Sequence, residues 1–513
     1  MARRHRVVSK EHIMSSKHTY AEWRARAAAL SIEGRAFIDG GYVDAVSGKT
    51  FDCINPANGA VLARIAECDA EDAEYAVAAA RHAFEAGVWS RMAPRERKTV
   101  LIRFAQLIED HTEELSLLES LDAGKPIGDT TRIDIPAAVR CVRFNGEAVD
   151  KLYDEVAPTP DDALGLVTRE PVGVVAAIVP WNFPILMASW KFAPALAAGN
   201  SVILKPSEKA PLTAIRIARL AQQAGIPNGV FNVLPGFGGT VGKALALHMD
   251  VDCVAFTGST AVGKQIMQYA GQSNLKRAWM ECGGKTPNIV FADCPDLDAA
   301  ARAAAFGIFY NQGEMCTAGS RLLVAASIKD AFLEKVIAAG EAMQPGDPLD
   351  PATRMGAIVD DIQLDRVMGY IEAGRAGGAT LRLGGERVMN ETGGYFIAPT
   401  IFDNVTNDMK IAREEIFGPV LSTIAFTDEA EAIRIANDSP YGLAAAVWTS
   451  NLSRGHRVAR RLRAGSVWVN CFDEGDMTVP FGGYKQSGNG RDKSLHAIDK
   501  YVELKATWID LSR

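Results

Sequence analysis

A thiol, a carboxylate and an amide stand in settings where ordinary packing does not require them. The thiol is Cys316, within "FYNQGEMCTAGSR" (309–321), where Gly313, Thr317, Ala318 and Gly319 replace the apolar neighbours of a core cysteine. Exposed there, a thiolate attacks a carbonyl carbon, and a neighbouring backbone N–H steadies the oxyanion. The carboxylate is Glu281 in "WMECGGKTPN", placed after a short apolar run and before two glycines. It reads equally as a turn-capping acid and as a general base that activates water at a thioester. The amide is Asn182 in "IVPWNFP", just past an apolar run. Alone it is a turn former; beside a reacting carbonyl its N–H is a second oxyanion donor.

Further residues suit a nucleotide. "LKPSEKAP" offers Lys205, Ser207 and Glu208, either as a surface ion pair or as partners for ribose hydroxyls. "FTGSTAVGK" (256–264) has Gly258, Ser259 and Gly263 at a helix start, which suits a phosphate although it is not G-x-G-x-x-G. "EEIFGPV" carries Glu415 and Phe417, which by themselves make a charged turn and a core aromatic.

The surrounding pattern is α/β. "DAEDAEYAVAAARHAFEAG" (69–87) is an amphipathic helix capped by Asp69, with Ala73, Ala76, Val77, Ala80 and Phe84 on one face. A second helical run starts at Pro94 and breaks at Gly124 and Pro126. From 173 onward apolar strands alternate with helices, which predicts a parallel sheet covered on both faces. Ligands bind such sheets at the carboxyl ends of their strands. Here those ends carry Pro180-Trp181-Asn182, Lys205-Pro206-Ser207-Glu208 and Thr257-Gly258-Ser259. A second alternating region runs from Pro287 to about Pro480, meeting the first around "ECGGK" (281–285). A cleft between the two is the expected site. "ALGLVTREP" (163–171) and "YVELKATWID" (501–510) alternate like strands outside both sheets, and are expected to form an oligomerisation flap.

Composition narrows the class. A chain of 513 residues, 48% of them hydrophobic, is long enough for two or three domains. No run of 18 apolar residues exists, so no membrane-spanning helix is expected. Eight cysteines without a C-x-x-C pair indicate neither zinc nor a disulfide framework, and suit the reducing cytoplasm. The basic start "MARRHRVVSK" lacks the apolar stretch of a secretory signal. The net charge of −7 argues against a nucleic-acid arm, leaving a disordered tail as the expectation.

Together, and in this order, "VPWNFP", "LKPSE", "FTGST", "ECGGK", "NQGEMCTAGSR", "EEIFGPV" and "PFGGYKQSGNGRD" resemble the NAD(P)-dependent aldehyde dehydrogenase superfamily, over about residues 30 to 510. "GDMTVPFGGYKQSGNGRDKSLHA" (475–497) is most similar to the bacterial aminoaldehyde branch. The resemblance implies Cys316 as nucleophile, Glu281 as general base and Asn182 as side-chain oxyanion donor. It implies NAD held by Pro180, Trp181, Lys205, Ser207, Glu208, Gly258, Ser259, Glu415 and Phe417, with no metal. The implied division is an N-terminal extension (1–29), an NAD-binding domain (30–150 and 173–283), a flap (151–172 and 496–513) and a catalytic domain (284–495), assembled as a homo-oligomer, dimer or tetramer. Cys282 stands where the family usually has Leu or Ala, a second thiol beside the general base that could form a disulfide under oxidation, which leaves its redox role open.

The substrate follows from "NCFDEGDMTVPFGG" (470–483), which the resemblance puts at the channel mouth. Asp473, Glu474 and Asp476, with Asp134 across the channel, would attract a cationic aminoaldehyde, while Phe472 and Trp190 pack on its methylenes. A broad-specificity enzyme for neutral aldehydes is the alternative. A non-catalytic relative would have no reason to hold Cys316, Glu281 and Asn182 together, and a CoA-acylating one would lack Glu281.

Overall fold

The computed structural model describes residues 18–512. The basic tail falls on residues 1–17, outside them. The rest of the expected extension is not a loose tail: Tyr20–Ala28 is a helix, closed by a Thr19/Glu22 capping box and seated through buried Trp23.

The first sheet has seven strands, in the order Arg277–Cys282, Cys253–Gly258, Val174–Ile178, Ser201–Lys205, Phe231–Val233, Ala36–Ile38 and Gly41–Val43. The first five run parallel, and the last two form an antiparallel edge. Val174–Ile178 and Ser201–Lys205 are buried at every position, which explains the apolar runs Val174–Ile178 and 202–204. From Val174–Ile178 the chain builds outward through two strands on one side, then returns to add two on the other. That reversal creates a crevice between the end of Val174–Ile178 and the end of Cys253–Gly258, the switch point where open α/β sheets take ligands.

Helix Ala70–Ala86 has its Asp69 cap and ends at left-handed Gly87, with Ala83 rather than Phe84 completing the buried face. The run expected from Pro94 is two helices, Pro94–Asp110 and Thr112–Ala123, which meet at His111.

The chain crosses to a second seven-stranded sheet at 283–286. Its order is Thr380–Leu383, Thr400–Asp403, Val420–Phe426, Arg321–Ala325, Pro287–Val290, Ala444–Trp448 and Ser466–Val469, parallel except for the first. The two strands expected outside both sheets pair with each other: Ala163–Pro171 runs antiparallel to Val502–Asp510 over nine residue pairs, and Glu155–Ala157 adds a third strand. Among the described residues no helix is long and apolar enough to cross a membrane.

One loop ties the sheets together. Residues 481–492 lie across the end of strand Arg277–Cys282, where Gly488 pairs with Glu281. Asn489 donates its N–H to the Met280 carbonyl at 3.0 Å and accepts the Met280 N–H through its side chain at 2.8 Å. A β-carbon on Gly488 would lie 2.0 Å from the Met280 carbonyl, and one on Gly482 2.7 Å from Glu281 Oε1. Both glycines have left-handed φ, +134° and +156°. The glycines of "PFGGYKQSGNGRD" thus permit backbone to rest directly on the strand that carries Glu281.

Candidate active site

Cys316 lies at the amino end of strand Arg321–Ala325, across from the carboxyl ends of the first sheet. Its loop differs from the expected polar, water-facing one. Every residue from 307 to 325 is buried except Cys316, which is partly open. Polar character here serves internal bonding, and the one opening is at the thiol. The approach is sharp: Asn311, Gln312 and Gly313 take left-handed φ of 49°, 57° and 72° in succession. Asn311 Nδ2 donates to the Asn182 and Glu314 carbonyls, and Gln312 accepts the Gly356 N–H.

Asn182 is buried just past Val174–Ile178. Its Nδ2 donates to the Glu314 carbonyl at 2.9 Å, two residues before Cys316. One amide hydrogen is thereby committed, and the second is left for another acceptor. The Asn182 backbone carbonyl accepts from Lys125 Nζ at 3.2 Å. Lys125 is itself buried, ion-paired to Asp134 and seated 3.7 Å from the centre of the Phe183 ring.

Glu281 is buried and neither carboxyl oxygen has a hydrogen-bond partner. Burial pushes its carboxyl up to about 8; Asp492 pushes the same way, while Lys191, Lys500 and Arg491 oppose it. Lys191 and Lys500 both bind Asp492, so this field is fixed by a buried triad. Gly283 and Gly284 follow because two partners press on the turn. A β-carbon on Gly283 would meet the Glu415 carboxylate at 1.9 Å, and one on Gly284 the Cys316 carbonyl at 2.7 Å. Glu415 accepts the Gly284 N–H at 3.0 Å, and burial raises its carboxyl to about 7. Burial holds the Cys316 thiol well above its ordinary value, with Glu415, Asp473 and Glu281 adding to the effect. The resting sulfur is therefore a thiol, encircled by acids that disfavour its anion.

Strand alternation turns Cys282 away from Glu281. Its sulfur packs beneath helix Thr260–Gln272, 2.9 Å from where a β-carbon on Gly263 would sit, and burial lifts its thiol to about 12. In this structure Cys282 is a buried packing residue.

At the switch-point crevice, Pro180 and Trp181 are half-buried, and Trp181 meets Phe417 edge to face at 5.3 Å. Phe417 has φ 61°, a strained conformation for a bulky residue. Lys205 is 3% exposed and holds Glu208, 32% exposed, at 3.3 Å. Ser207 is buried and accepts the Lys209 N–H. Ser259 caps the 13-residue helix Thr260–Gln272 and is exposed beside half-buried Gly258, while the buried Thr257 hydroxyl has no partner.

A thiol, an anchored amide and an unpaired carboxylate converge beside this crevice. The sequence model of the aldehyde dehydrogenase family matches residues 42–507. The chain belongs to the aldehyde dehydrogenase family. The NADP/NAD-dependent aldehyde dehydrogenase PuuC of Escherichia coli (strain K12) is 56% identical over 494 residues, covering 96% of this chain and 99% of the relative. The solved gamma-glutamyl-gamma-aminobutyraldehyde dehydrogenase of Burkholderia cenocepacia J2315 is 68% identical with a TM-score of 0.95, covering 96% of this chain and all of the other. The P. syringae AldA indole-3-acetaldehyde dehydrogenase, solved with NAD+ and IAA, is 66% identical with a TM-score of 0.96 and the same coverage.

For an aldehyde dehydrogenase cofactor the crevice is chemically suitable. A helix N-terminus with an exposed serine fits a phosphate, the lysine–glutamate pair fits ribose hydroxyls, and the unpartnered Thr257 hydroxyl has hydrogen-bonding capacity to spare.

The expected substrate residues divide. Asp473 is exposed at left-handed φ 56°, accepts the Thr317 hydroxyl at 3.3 Å, and has its carboxyl raised to about 6 by desolvation. Glu474 is exposed. Asp476 is also exposed, but its carboxylate binds the Thr478 N–H and hydroxyl, as in an ordinary polar turn. Asp134 is a correction: it is wholly buried against Lys125 and cannot face a channel. So is Phe472, which is buried against Trp468, with ring carbons about where β-carbons on Gly307 and Gly319 would have to go. Its ring supports the Cys316 loop from behind. Half-buried Trp190 packs instead against Phe481, 5.0 Å between ring centres. Phe481, Lys191, Asp492, Lys500 and Lys125 were not anticipated. Only the aromatic preceding the glycine pair in "VPFGG" was a usable signal.

Replacing Glu415 by Gln keeps an acceptor for Gly284 while removing the charge that most strongly opposes the Cys316 thiolate. The pH dependence of Cys316 alkylation by iodoacetamide, read by peptide mass, should shift to lower pH in Glu415→Gln. An unshifted profile would mean that burial alone sets the thiol.

Proposed function

We propose that this protein oxidises an aldehyde to its carboxylic acid with NAD, through covalent adducts on Cys316, and that the aldehyde carries an amino group at its far end. The observation that carries the covalent route is the lone opening at Cys316 in a buried loop, beside the anchored Asn182 amide and the unpaired Glu281 carboxylate.

In this reading the thiol gives up its proton to solvent through its one opening and the sulfur attacks the aldehyde carbon, forming a thiohemiacetal. The oxyanion accepts from the free Asn182 amide hydrogen and the Cys316 N–H, each donor being worth about 10²–10³ in rate. The chemistry NAD supplies is a hydride acceptor, and loss of hydride leaves a thioester on Cys316. Glu281, having released its proton to solvent, takes a proton from water, and the hydroxide displaces the sulfur and frees the acid. Pro180, Trp181, Lys205, Ser207, Glu208, Gly258, Ser259, Glu415 and Phe417 would hold the cofactor. Turnover without CoA separates this reading from an acyl-CoA-forming one.

An amino-bearing substrate is supported by the exposed acids Asp473 and Glu474, by a net charge of −7, and by relatives named for amino-bearing aldehydes. A second reading, an aromatic aldehyde, is favoured by the Trp190–Phe481 pair and by the likeness to AldA. We also assign oligomerisation to strand Val502–Asp510, whose free edge exposes Leu504 and Trp508, the latter by 67%. The eight free thiols suit the cytoplasm.

Three measurements test this reading. Glu281 works as a base only when ionised, and its carboxyl stands near 8, so steady-state turnover should rise with pH through about 8. Glu281→Gln should give a burst of NADH, then a slow phase lacking that rise; equal loss of burst and slow phase would remove Glu281 from hydrolysis. Glu208 accepts a ribose hydroxyl but repels a 2′-phosphate, so NAD should be preferred to NADP and Glu208→Ser should narrow the gap. Equal use of both cofactors by the unmodified enzyme contradicts that assignment. Finally, kcat/KM should be higher for 4-aminobutanal than for butanal or indole-3-acetaldehyde. A preference for either neutral aldehyde rejects the amino-bearing substrate.

A further inference from the structure

The carbonyl that orients the Asn182 amide belongs to Glu314, whose side chain has no part in the reaction described so far. Glu314 is 1% exposed and lies two residues before Cys316. Its Oε1 accepts the Val359 N–H at 3.1 Å. Burial lifts the carboxyl well above the ordinary carboxylate range, and the Val359 bond opposes that only in part. At neutral pH the side chain is therefore an uncharged acid, and what it offers the interior is an acceptor.

The partner segment explains the need. Residues 356–359 are buried yet lie outside every helix and strand, so their N–H groups require acceptors from elsewhere. All four find one. Ala357 donates to the Gly124 carbonyl at 3.0 Å, and Ile358 to the Tyr395 carbonyl at 2.7 Å. Gly356 donates to Gln312 Oε1 at 2.8 Å, and Val359 to Glu314. Two side chains of the nucleophile loop thus clamp that loop to a fixed stretch of backbone.

Beyond Val359 the contacts return to Asn182. Asp360 Oδ1 caps helix Asp361–Ala376 by accepting the Gln363 N–H, and Oδ2 pairs with Lys209 Nζ at 2.5 Å. The Lys209 ammonium stands over the Trp181 ring, 5.5 Å from its centre. Trp181 directly precedes Asn182, so the contacts close into a ring. A shift of Glu314 moves the acceptor that holds the oxyanion donor, and a displacement of about 1 Å in such a site costs about 100-fold in rate.

We propose that the Glu314 carboxyl is a positioning residue: anchored on Val359, and through Asp360 and Lys209 on Trp181, it fixes the carbonyl that turns the free Asn182 amide hydrogen toward the oxyanion. The inference rests on the covalent reading above and deepens it. The role requires the acceptor and not a charge, so an amide can replace the acid.

The test is a double-mutant cycle on kcat/KM for 4-aminobutanal. Glu314→Met, which keeps the bulk and removes the acceptor, should lower it about tenfold to 100-fold, while Glu314→Gln should keep most of it. Asn182→Ala should lose about 10²–10³. In the Asn182→Ala background, Glu314→Met should cost nothing more, because the donor it positions is gone. Lys209→Met, at the half-buried far side of the ring, should give a smaller loss that also vanishes in Asn182→Ala, and it decides the matter if Glu314→Met does not fold. Three results overturn the positioning role while leaving Asn182 in place: losses that add in the double variants, full kcat/KM in Glu314→Met (or in Lys209→Met where that variant decides), and a Glu314→Gln loss as large as that of Glu314→Met. Full activity in Asn182→Ala instead removes the oxyanion donor itself, and the inference with it.

Discussion

The site depends on keeping one carboxylate inside the protein without a partner. An ionised acid in that position is unfavourable, and Glu281 responds by binding its proton more tightly than a free glutamate. Everything around it maintains that state. The loop 481–492 covers the strand end, and its glycines leave no side chain to interfere. The Lys191–Asp492–Lys500 triad sets the surrounding charge without bonding to Glu281. A direct ion pair would have stabilised the fold and pulled the acid down into the ordinary range. The carboxylate is instead left near neutrality, where proton exchange with water is least costly.

The thiol shows the same logic from the other side. Cys316 is surrounded by acids that favour its protonated form, so it is not a pre-formed thiolate. Its reactivity has to come from position: a single opening in a buried loop, beside an amide held by three polar contacts from Glu314, Asn311 and Lys125. Lys125 is informative because its charge is used structurally. Paired with Asp134 and bonded to the Asn182 backbone, it fixes the oxyanion donor from below.

Much of this was legible in the sequence, for physical reasons. Strands buried on both faces are mostly apolar, a helix capped by Asp69 starts there and one that reaches Gly124 stops there, so both sheets and the outer strand pair were readable. Polar residues at the ends of those strands had few structural roles, so Asn182, Glu281 and Cys316 stood out. What could not be read was direction. Asp134 and Phe472 are of the right type and lie in the right segments, but a π-helical turn and a glycine-lined slot turn them inward. Lys191, Asp492 and Lys500 are far apart along the chain, and no local pattern announces that they meet.

The central claim, that Cys316 carries the acyl group and Glu281 releases it, is most directly tested by intact and peptide mass of Glu281→Gln, quenched after mixing with 4-aminobutanal and NAD. The account predicts one added acyl group, on the peptide containing Cys316, which persists far longer than in the unmodified enzyme. An unmodified peptide, or an acyl group on another cysteine, would contradict it.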